Sequence, residues 1–194
     1  NFSRLDEAES KEADIHQGID STLMILQHRL KPSGDIHGVH IKKDYSELPL
    51  VQCYPGQLNQ VFMNLLSNAI DALEEKDKQR TPEEIQDNLG EIQISTSLLA
   101  QDWVEIRIAD NANGIQNELI SQLFDPFFTT KAVGKGTGLG LSISYQIITD
   151  KHNGKLYCQS EPGQGTEFVV EIPIHQNTGK AVDLIVNNIN LLVR

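Results

Sequence analysis

The sequence has few cysteines, no long apolar run and little positive charge. Its two cysteines, Cys53 and Cys158, lie far apart and form neither a metal-type nor a redox-type pair. A reducing, cytoplasmic compartment is therefore expected. No apolar run approaches the roughly 18 residues that span a bilayer, and no signal peptide is visible. We expect no membrane contact by this segment.

The charge balance limits the partners of the protein. Acidic residues outnumber basic ones, and the net charge is −11. Such a surface argues against nucleic acid as a ligand, because the phosphate backbone is bound by positive charge. Any polyanionic ligand must be held by local groups, namely a metal ion, a few lysines and backbone N–H groups.

Three zones can be separated along the 194 residues, which suit one ordinary domain with an appendage. Residues 1–36 contain a charge-rich helix predicted from Ser3 to about Lys31, which "KPSGD" then ends because proline and glycine break helices. Residues 37–176 form the main domain. Residues 177–194 are an Asn-rich tail, for which a linker, a helix of a following domain and an expression remnant are all open.

The first helix has a coiled-coil pattern. Steps of three and four residues along it give a mostly apolar seam, as in a coiled coil. Its members are Leu5, Ala8, the charged Glu12, Ile15, Ile19, Thr22 and Leu26. The seam predicts a dimerisation helix and hence a homodimer. The alternative is a solvated helix that lies on its own domain.

The main domain mixes strands and helices. "VHIKKDY" and "LPLVQCY" are short strand candidates, "EIQISTSLL" and "WVEIRIAD" alternate as a strand pair, and "GKLYCQS" and "TEFVVEIPI" make a final hairpin. Helices are predicted over residues 55–76, 117–123 and 139–151, with a long loop over 124–138. Since the helices interrupt the strands irregularly, the predicted fold class is α/β, a two-layer α/β sandwich rather than a doubly wound sheet.

The helix over residues 55–76 has a polar stripe beside its apolar arc. The arc consists of Leu58, Val61, Phe62, Leu65, Leu66, Ala69, Ala72 and Leu73. At about 100° per residue, Asn64, Asn68 and Asp71 fall together on one flank. Asparagine offers a neutral oxygen that suits a hard cation such as Mg²⁺. The alternative is a set of asparagines that merely faces water.

An aspartate ends one strand of the predicted pair. "IRIADNANGI" places Asp110 at the strand end, with turn residues after it. A carboxylate at the mouth of a pocket can accept a hydrogen bond from an exocyclic amino group, which adenine presents and guanine replaces by a carbonyl. Asp110 would thus favour ATP over GTP. A simple Asx-turn that ends the strand is the alternative.

Four glycines precede the last predicted helix. Gly134, Gly136, Gly138 and Gly140 allow the backbone to approach a bulky anion closely. The helix that begins near Leu139 presents free N–H groups to such an anion. Lys131 and Lys135 add positive charge nearby. The segment fits neither the P-loop nor the dinucleotide pattern, and a flexible linker is the alternative.

Five of these segments, in this order, resemble the catalytic ATP-binding domain of sensor histidine kinases. That domain belongs to the GHKL superfamily with DNA gyrase, the heat-shock chaperone ATPases and the mismatch-repair ATPases, and has the Bergerat ATP-binding fold. "NLLSNAIDAL" resembles the N box, "DNANG" the G1 box, "FDPFFTTK" the F box, "GKGTGLGLS" the G2 box and "GQGTEF" the G3 segment. The resemblance covers roughly residues 37–175.

The resemblance implies roles for named residues. Asn68 would coordinate Mg²⁺, with Asn64 near the metal or a phosphate, and Asp110 would bind the adenine amino group with help from Thr166. Residues 126–138 would form the ATP lid. The nucleotide and catalytic residues implied are Asn64, Asn68, Asp71, Asp110, Gly114, Ile115, Phe128, Lys131, Gly136, Thr137, Gly138, Leu139, Gly140 and Thr166. Of these, Asn64, Asn68 and Lys131 are the catalytic candidates.

Two positions depart from the family pattern. Ala112 stands where the G1 box usually has glycine, and alanine is small enough to leave room for a nucleotide. Asp71 stands where the family often has a basic residue that contacts a phosphate. We expect Asp71 to hydrogen-bond close to the metal instead.

One residue of the N box distinguishes this chain from the related ATPases. The related ATPases have a glutamate four residues before the metal asparagine, where this chain has Asn64. Without that base, hydrolysis should be poor and phosphoryl transfer to a protein is favoured. A GHKL ATPase or conformational clamp, and a degenerate binding module, are the alternatives.

The phosphoacceptor histidine is expected outside this chain. His16 and His28 are not followed by the acidic residue of an H box, so neither fits the acceptor. The first helix therefore resembles the second helix of a dimerisation hairpin without its H box. The implied partners are the H-box hairpin of the same kinase and a response regulator, and the implied cofactors are ATP and Mg²⁺.

Overall fold

The computed structural model describes residues 9–32, 38–100, 102–130 and 136–176. In chain order these contain strand β1 (Lys11–Ala13), helix α1 (Ile15–Leu30), strands β2 (Val39–Tyr45) and β3 (Val51–Cys53), helices α2 (Pro55–Asp77) and α3 (Pro82–Asp87), strands β4 (Gly90–Leu99) and β5 (Trp103–Asp110), helices α4 (Asn117–Ile120) and α5 (Gly140–Gln146), a π-helical turn (Ile147–Lys151), and strands β6 (Lys155–Glu161) and β7 (Gly165–Pro173).

Five strands form one mixed sheet in the order β2-β4-β5-β7-β6. The pair β2 and β4 is parallel, and the other neighbours are antiparallel. Because strand side chains alternate between two faces, Ile106 and Ile108 of β5 are buried with the helices while Arg107 lies on the other face. The predicted α/β sandwich of two layers is confirmed.

Helix α2 is the centre of the helical layer. Pro55 occupies its first turn, where a missing N–H costs nothing. The apolar arc predicted from the sequence is buried except for the half-buried Ala72, and Leu65, Leu66 and, outside the predicted arc, Ile70 are fully inaccessible. Each such side chain contributes roughly 1.5–3 kcal/mol relative to an exposed one. The same core reaches from Ile15 of α1 to Ile174 after β7.

The outer face of the sheet is covered by its own ion pairs. Arg107 donates from Nε and Nη2 to both carboxylate oxygens of Glu105, at 2.7 and 2.9 Å, and from Nη1 to Glu167 at 2.7 Å. The guanidinium lowers the pKa of Glu105 below its usual range. A third layer is therefore unnecessary, because charged side chains shield this face.

The first helix differs from its prediction. Residues 11–13 are a strand that pairs with β3, and the helix begins only at Ile15, where Asp14 caps it by accepting from the His16 N–H at 2.8 Å. The prediction that Glu12 belongs to a helical seam was therefore wrong. Ile15, Ile19 and Leu26 are buried in the core shared with α2. This face of α1 therefore packs within the chain, while the predicted role of the helix in dimerisation stays a prediction.

Parts of the first and third zones cannot be compared with the structure. Residues 1–8, 33–37 and 177–194 lie outside the described residues. The division of the chain at residues 36 and 176 stays a prediction. Within the described ranges, however, α1 contributes to the same core as the sheet.

Two short elements were not predicted. Strand β1 has only three residues, which is too short for a periodic signal. Helix α3 follows Thr81, whose hydroxyl accepts from the Glu84 N–H while the Glu84 carboxylate accepts from the Thr81 N–H. This capping box was readable in "TPEE". The predicted helix over residues 139–151 is present as α5 followed by the π-helical turn.

His152 is a buried structural histidine behind that turn. Its Nε2 accepts from the Tyr54 N–H at 3.0 Å, so Nδ1 carries the proton and donates to the Ile147 carbonyl at 2.9 Å. The ring is fully inaccessible, and this burial lowers its pKa. The neutral ring thus joins the start of α2 to the π-helical turn.

His152→Gln should destabilise the protein at neutral pH by about 2 kcal/mol, because one or both backbone groups lose their partner. The native pKa lies below that of the unfolded chain, so the parent should lose stability as pH falls below about 6.5. Urea unfolding at pH 7.5 and 5.5 measures both effects. The variant should lose less on acidification than the parent, and His175→Gln, at an exposed histidine, should match the parent.

Candidate nucleotide-binding site

Asp110 is the buried acidic group of a cavity of about 230 Å³ at the end of β5. Its Oδ1 accepts from the Ala112 N–H at 2.9 Å. Burial raises the pKa of Asp110 to about 6, although hydrogen bonds from the backbone of Ala112 and Thr166 act in the opposite direction. A carboxylate that is costly to keep ionised and faces a cavity is typical of a functional group.

Two glycines let the loops around Asp110 come together. Gly165 has φ +107°, and a Cβ there would lie 1.9 Å from the Asp110 carbonyl oxygen. Gly114 has φ +70°, and its Cβ would lie 2.1 Å from the Glu161 carbonyl oxygen. Neither position can accept a side chain without moving backbone. The sequence-predicted Gly114 is thus placed beside the hairpin that carries Thr166.

The side of the cavity formed by β6 and β7 is a row of hydroxyl groups. Thr166 lies opposite Asp110 on one neighbouring strand and opposite Ser160 on the other. The Ser160 and Thr166 oxygens are 3.0 Å apart, and Ser160 Oγ accepts from the Ile115 N–H at 2.9 Å. The structure therefore brings the candidate site residues Asp110, Ile115 and Thr166 together and places Ser160 beside them.

Hydrogen bonds of Asn111 hold the turn after Asp110 against β4 and α2. Asn111 Oδ1 accepts from the Glu91 N–H at 2.8 Å, and its Nδ2 donates to the Leu89 carbonyl at 3.0 Å. Lys76 of α2 donates to the Asn111 carbonyl, and burial lowers the pKa of this lysine. These residues were missed because their partners are distant in sequence.

Asn64 links α2 to the first turn of α5. Its Nδ2 donates to the Gly140 carbonyl and to Ser144 Oγ, both at 3.0 Å. The amide hydrogens are thereby used, and the carbonyl oxygen is the group that Asn64 offers to a ligand. Asn68 follows one turn later on the same flank and is half-buried. The structure thus places Asn64 and Gly140 side by side.

The two ends of the predicted lid are joined. The Phe127 N–H donates to the Gly138 carbonyl at 2.9 Å. Gly138 has φ +65°, and a Cβ there would lie 2.4 Å from the Phe127 carbonyl carbon. Phe128 is half-buried, and Thr137 Oγ1 accepts from the Leu139 N–H at 3.3 Å. Gly136 is described, whereas Lys131, Gly134 and Lys135 lie outside the described residues.

Asp71 forms an ion pair that the sequence did not predict. Its carboxylate accepts from Arg29 of α1 at 2.6 Å, and the same guanidinium group binds Glu74 at 2.8 Å. Asp71 therefore contributes to the contact between α1 and α2. Its assignment to the nucleotide site stays a prediction.

The residues present fit a magnesium ion only if a bound nucleotide and waters supply most of its ligands. Within the described ranges, no cluster of three His, Cys, Asp or Glu residues could hold a metal by itself. The asparagine oxygens of α2 are ligands that Mg²⁺ accepts when phosphates and waters complete its shell.

A larger cavity of about 490 Å³ lies between β1, α1 and the start of α2, and none of the predicted site residues lines it.

The fold and the site define an ATP-binding domain, and comparison with known proteins agrees. Residues 53–176 match the family described as histidine kinase-, DNA gyrase B- and HSP90-like ATPases. The chain belongs to this family. In the part of the chain that the structure describes, no helix is long and apolar enough to cross a membrane.

Two similar proteins are named as kinases, one of them as a histidine-protein kinase. Sporulation kinase E of Bacillus subtilis is 36% identical over 149 residues, which are 76% of this chain and 18% of that protein. The histidine-protein kinase AtoS of Escherichia coli is 31% identical over 186 residues, 93% of this chain and 27% of that protein. The chain thus spans less than a third of these relatives' length.

A solved structure shows the same architecture. The catalytic domain of the histidine kinase ThkA superposes with a TM-score of 0.68 at 27% identity. The match covers 86% of this chain and 96% of the ThkA chain. The resemblance stated from the sequence motifs is confirmed.

Proposed function

We propose that this chain is the ATP-binding catalytic module of a two-component sensor histidine kinase that acts in the cytoplasm. It transfers the γ-phosphoryl group of ATP to a histidine on a dimerisation hairpin, from which a response-regulator aspartate later receives it. The observation that carries the proposal is the buried carboxylate of Asp110, which faces a cavity at the end of β5. An acceptor in this position suits the amino group of adenine.

The opposite end of the nucleotide is assigned to α2 and the lid. Asn64 and Asn68 supply amide oxygens, and the segment of Thr137, Gly138, Leu139 and Gly140 reaches Asn64 at the Gly140 carbonyl. Bound Mg²⁺ would neutralise phosphate charge. The residues of this chain fix the position of the triphosphate, which is the main contribution a protein makes to phosphoryl transfer.

The contacts of Asn64 favour a kinase over an ATPase. Its side chain donates to Gly140 and Ser144 and so fixes α5. An amide cannot accept a proton from water as a carboxylate does. Bound ATP therefore waits for a protein nucleophile, and the assigned role of Asn64 is positioning.

The acceptor histidine is assigned to another segment. His16 stacks on Tyr45 with ring centroids 4.3 Å apart, and its Nε2 contacts Thr96 Oγ1 at 2.9 Å. This ring is used in the contact between α1 and the sheet. Since the buried face of α1 is also used within the domain, we assign dimerisation to a hairpin outside the described residues.

Phosphotransfer to an added hairpin tests the proposal. The chain is mixed with a separately produced H-box hairpin from a relative, Mg²⁺ and γ-labelled ATP. Acid-labile phosphohistidine should form on the hairpin. Asn68→Ala should reduce the rate at least tenfold, because the metal loses a ligand. Asn59→Ala, on another face of the same helix, should retain the parent rate.

The outcomes separate the alternatives. Steady phosphate release by the chain alone, without transfer to the hairpin, would indicate a GHKL ATPase. If neither activity is found and Mg-ATP does not raise the melting temperature, the chain is a module that does not bind nucleotide.

A further inference from the structure

The hydroxyl group of Ser160 has three partners at the edge of the Asp110 cavity. Ser160 Oγ lies 2.9 Å from the Ile115 nitrogen, 2.8 Å from the Gly165 carbonyl oxygen and 3.0 Å from Thr166 Oγ1. All three partners belong to segments that surround Asp110. A serine hydroxyl has one proton and two lone pairs, so these contacts can be assigned individually.

The assignment leaves one direction for each hydrogen bond. The Ile115 N–H can only donate, so Ser160 accepts from it. The Gly165 carbonyl can only accept, so the Ser160 proton is donated there. Having no second proton, Ser160 must accept from the Thr166 hydroxyl. The Thr166 proton therefore points at Ser160, and only the lone pairs of Thr166 remain for a ligand.

This direction matters because Asp110 is also an acceptor. Thr166 and Asp110 are directly opposed residues on neighbouring strands. The cavity consequently presents a carboxylate and a hydroxyl lone pair beside each other. A purine with an amino group at C6 has two protons to donate, whereas a purine with a carbonyl at C6 has none at that atom. A freely rotating Thr166 hydroxyl could donate to the carbonyl.

We propose that Ser160 is a positioning residue that fixes the direction of the Thr166 hydroxyl and thereby makes the site select a 6-amino purine over a 6-oxo purine. This inference rests on the proposed function, since it concerns the base of the nucleotide bound there. Ser160 acts through Thr166 and through the Gly114–Ile115 turn, which the Ile115 N–H attaches to β6.

Calorimetric titration with Mg-ATP and Mg-ITP tests the inference, because inosine has a carbonyl at C6, and the N1 proton that goes with it, where adenosine has an amino group. The parent should prefer ATP. Ser160→Ala should reduce the ratio of the two affinities about tenfold, the value of one hydrogen bond. Ser160→Thr restores a hydroxyl and should retain the parent ratio.

Tyr157→Phe is the matched control. It removes one hydroxyl group from the same strand, but on the outer face, where Tyr157 donates to Glu171 at 2.9 Å. Its ratio should equal that of the parent. Thermal unfolding of each variant without nucleotide confirms that the compared proteins are folded.

The inference is overturned if Ser160→Ala weakens ATP and ITP equally, because a merely structural serine would do that. If Ser160→Ala does not fold, Thr166→Val gives the answer. It should also lower the ATP preference, and an unchanged preference would overturn the inference. A parent that binds both nucleotides equally overturns this inference alone, whereas a parent that binds neither overturns the proposed function as well.

Discussion

Asp110→Asn is expected to stabilise the nucleotide-free protein and to reduce its affinity for ATP about a hundredfold. The pKa of Asp110 is raised from 3.8 to about 6, mainly by burial. At roughly 1.4 kcal/mol per unit, ionisation of this carboxyl costs the fold about 3 kcal/mol at pH 7.5. An amide avoids that cost but gives up part of the hydrogen bonding from Ala112 and Thr166, so we expect a net gain of about 1 kcal/mol.

The pH dependence has a definite sign. A carboxyl whose native pKa is raised binds protons more readily in the folded state. Its contribution to stability is fully present below pH 3.8 and is lost as pH rises through about 6. The stability difference between Asp110→Asn and the parent should therefore shrink as pH falls from 7.5 to 5.5. Chemical unfolding at several pH values measures it.

The loss of ATP binding has a separate cause. The asparagine side chain can present N–H groups where the carboxylate accepted, and a hydrogen bond to a charged acceptor contributes about 1.5–3 kcal/mol. Calorimetry with Mg-ATP measures the affinity. Asp44→Asn, at an exposed carboxylate of β2, should change neither stability nor affinity by much. If Asp110→Asn bound ATP as tightly as the parent, Asp110 would not contribute to nucleotide binding.

Gly165→Ala is expected to destabilise the protein by more than about 3 kcal/mol. The new Cβ would lie 1.9 Å from the Asp110 carbonyl oxygen, and φ is +107°. Alanine disfavours this conformation, and here the obstacle is backbone, which no rotamer change can move away. Strands β5 and β7 must separate locally, so Mg-ATP binding should be lost along with stability.

Gly163→Ala is the matched control in the same turn. Its φ is +83°, but no heavy atom lies within 4 Å of the added Cβ. It should cost only the conformational strain, about 1–2 kcal/mol. Thermal unfolding of the two variants separates strain from collision. Equal destabilisation would mean that the close approach of Gly165 to Asp110 has no energetic role.

Local patterns predicted most elements of the main domain. The strand pair Gly90–Leu99 and Trp103–Asp110 alternates with period two, and the apolar residues of Pro55–Asp77 recur with helical spacing. Such elements are readable because burial on one face repeats with the geometry of the backbone. Gly114 was singled out by its motif, whereas the close approach of Gly165 to Asp110 is visible only in the structure.

The first helix shows where periodicity is insufficient. Its seam residues Ile15, Ile19 and Leu26 are buried, and within this chain they pack in the same core as α2. An apolar stripe has the same sequence whether it packs on its own domain or on a second chain. Strand β1 was missed because three residues paired with a distant strand leave no local signal.

The sequence by itself determined the class of fold and named candidates for the two ends of a nucleotide site, because segment periodicity and the chemistry of Asp110, Asn64 and Asn68 are local properties. Tertiary structure alone decided the rest. Asp71 pairs with Arg29 across 42 positions, and Ser160 contacts Ile115 across 45. Such contacts depend on strand register and helix packing, which bring together residues that are far apart along the chain. No local sequence pattern indicates these contacts.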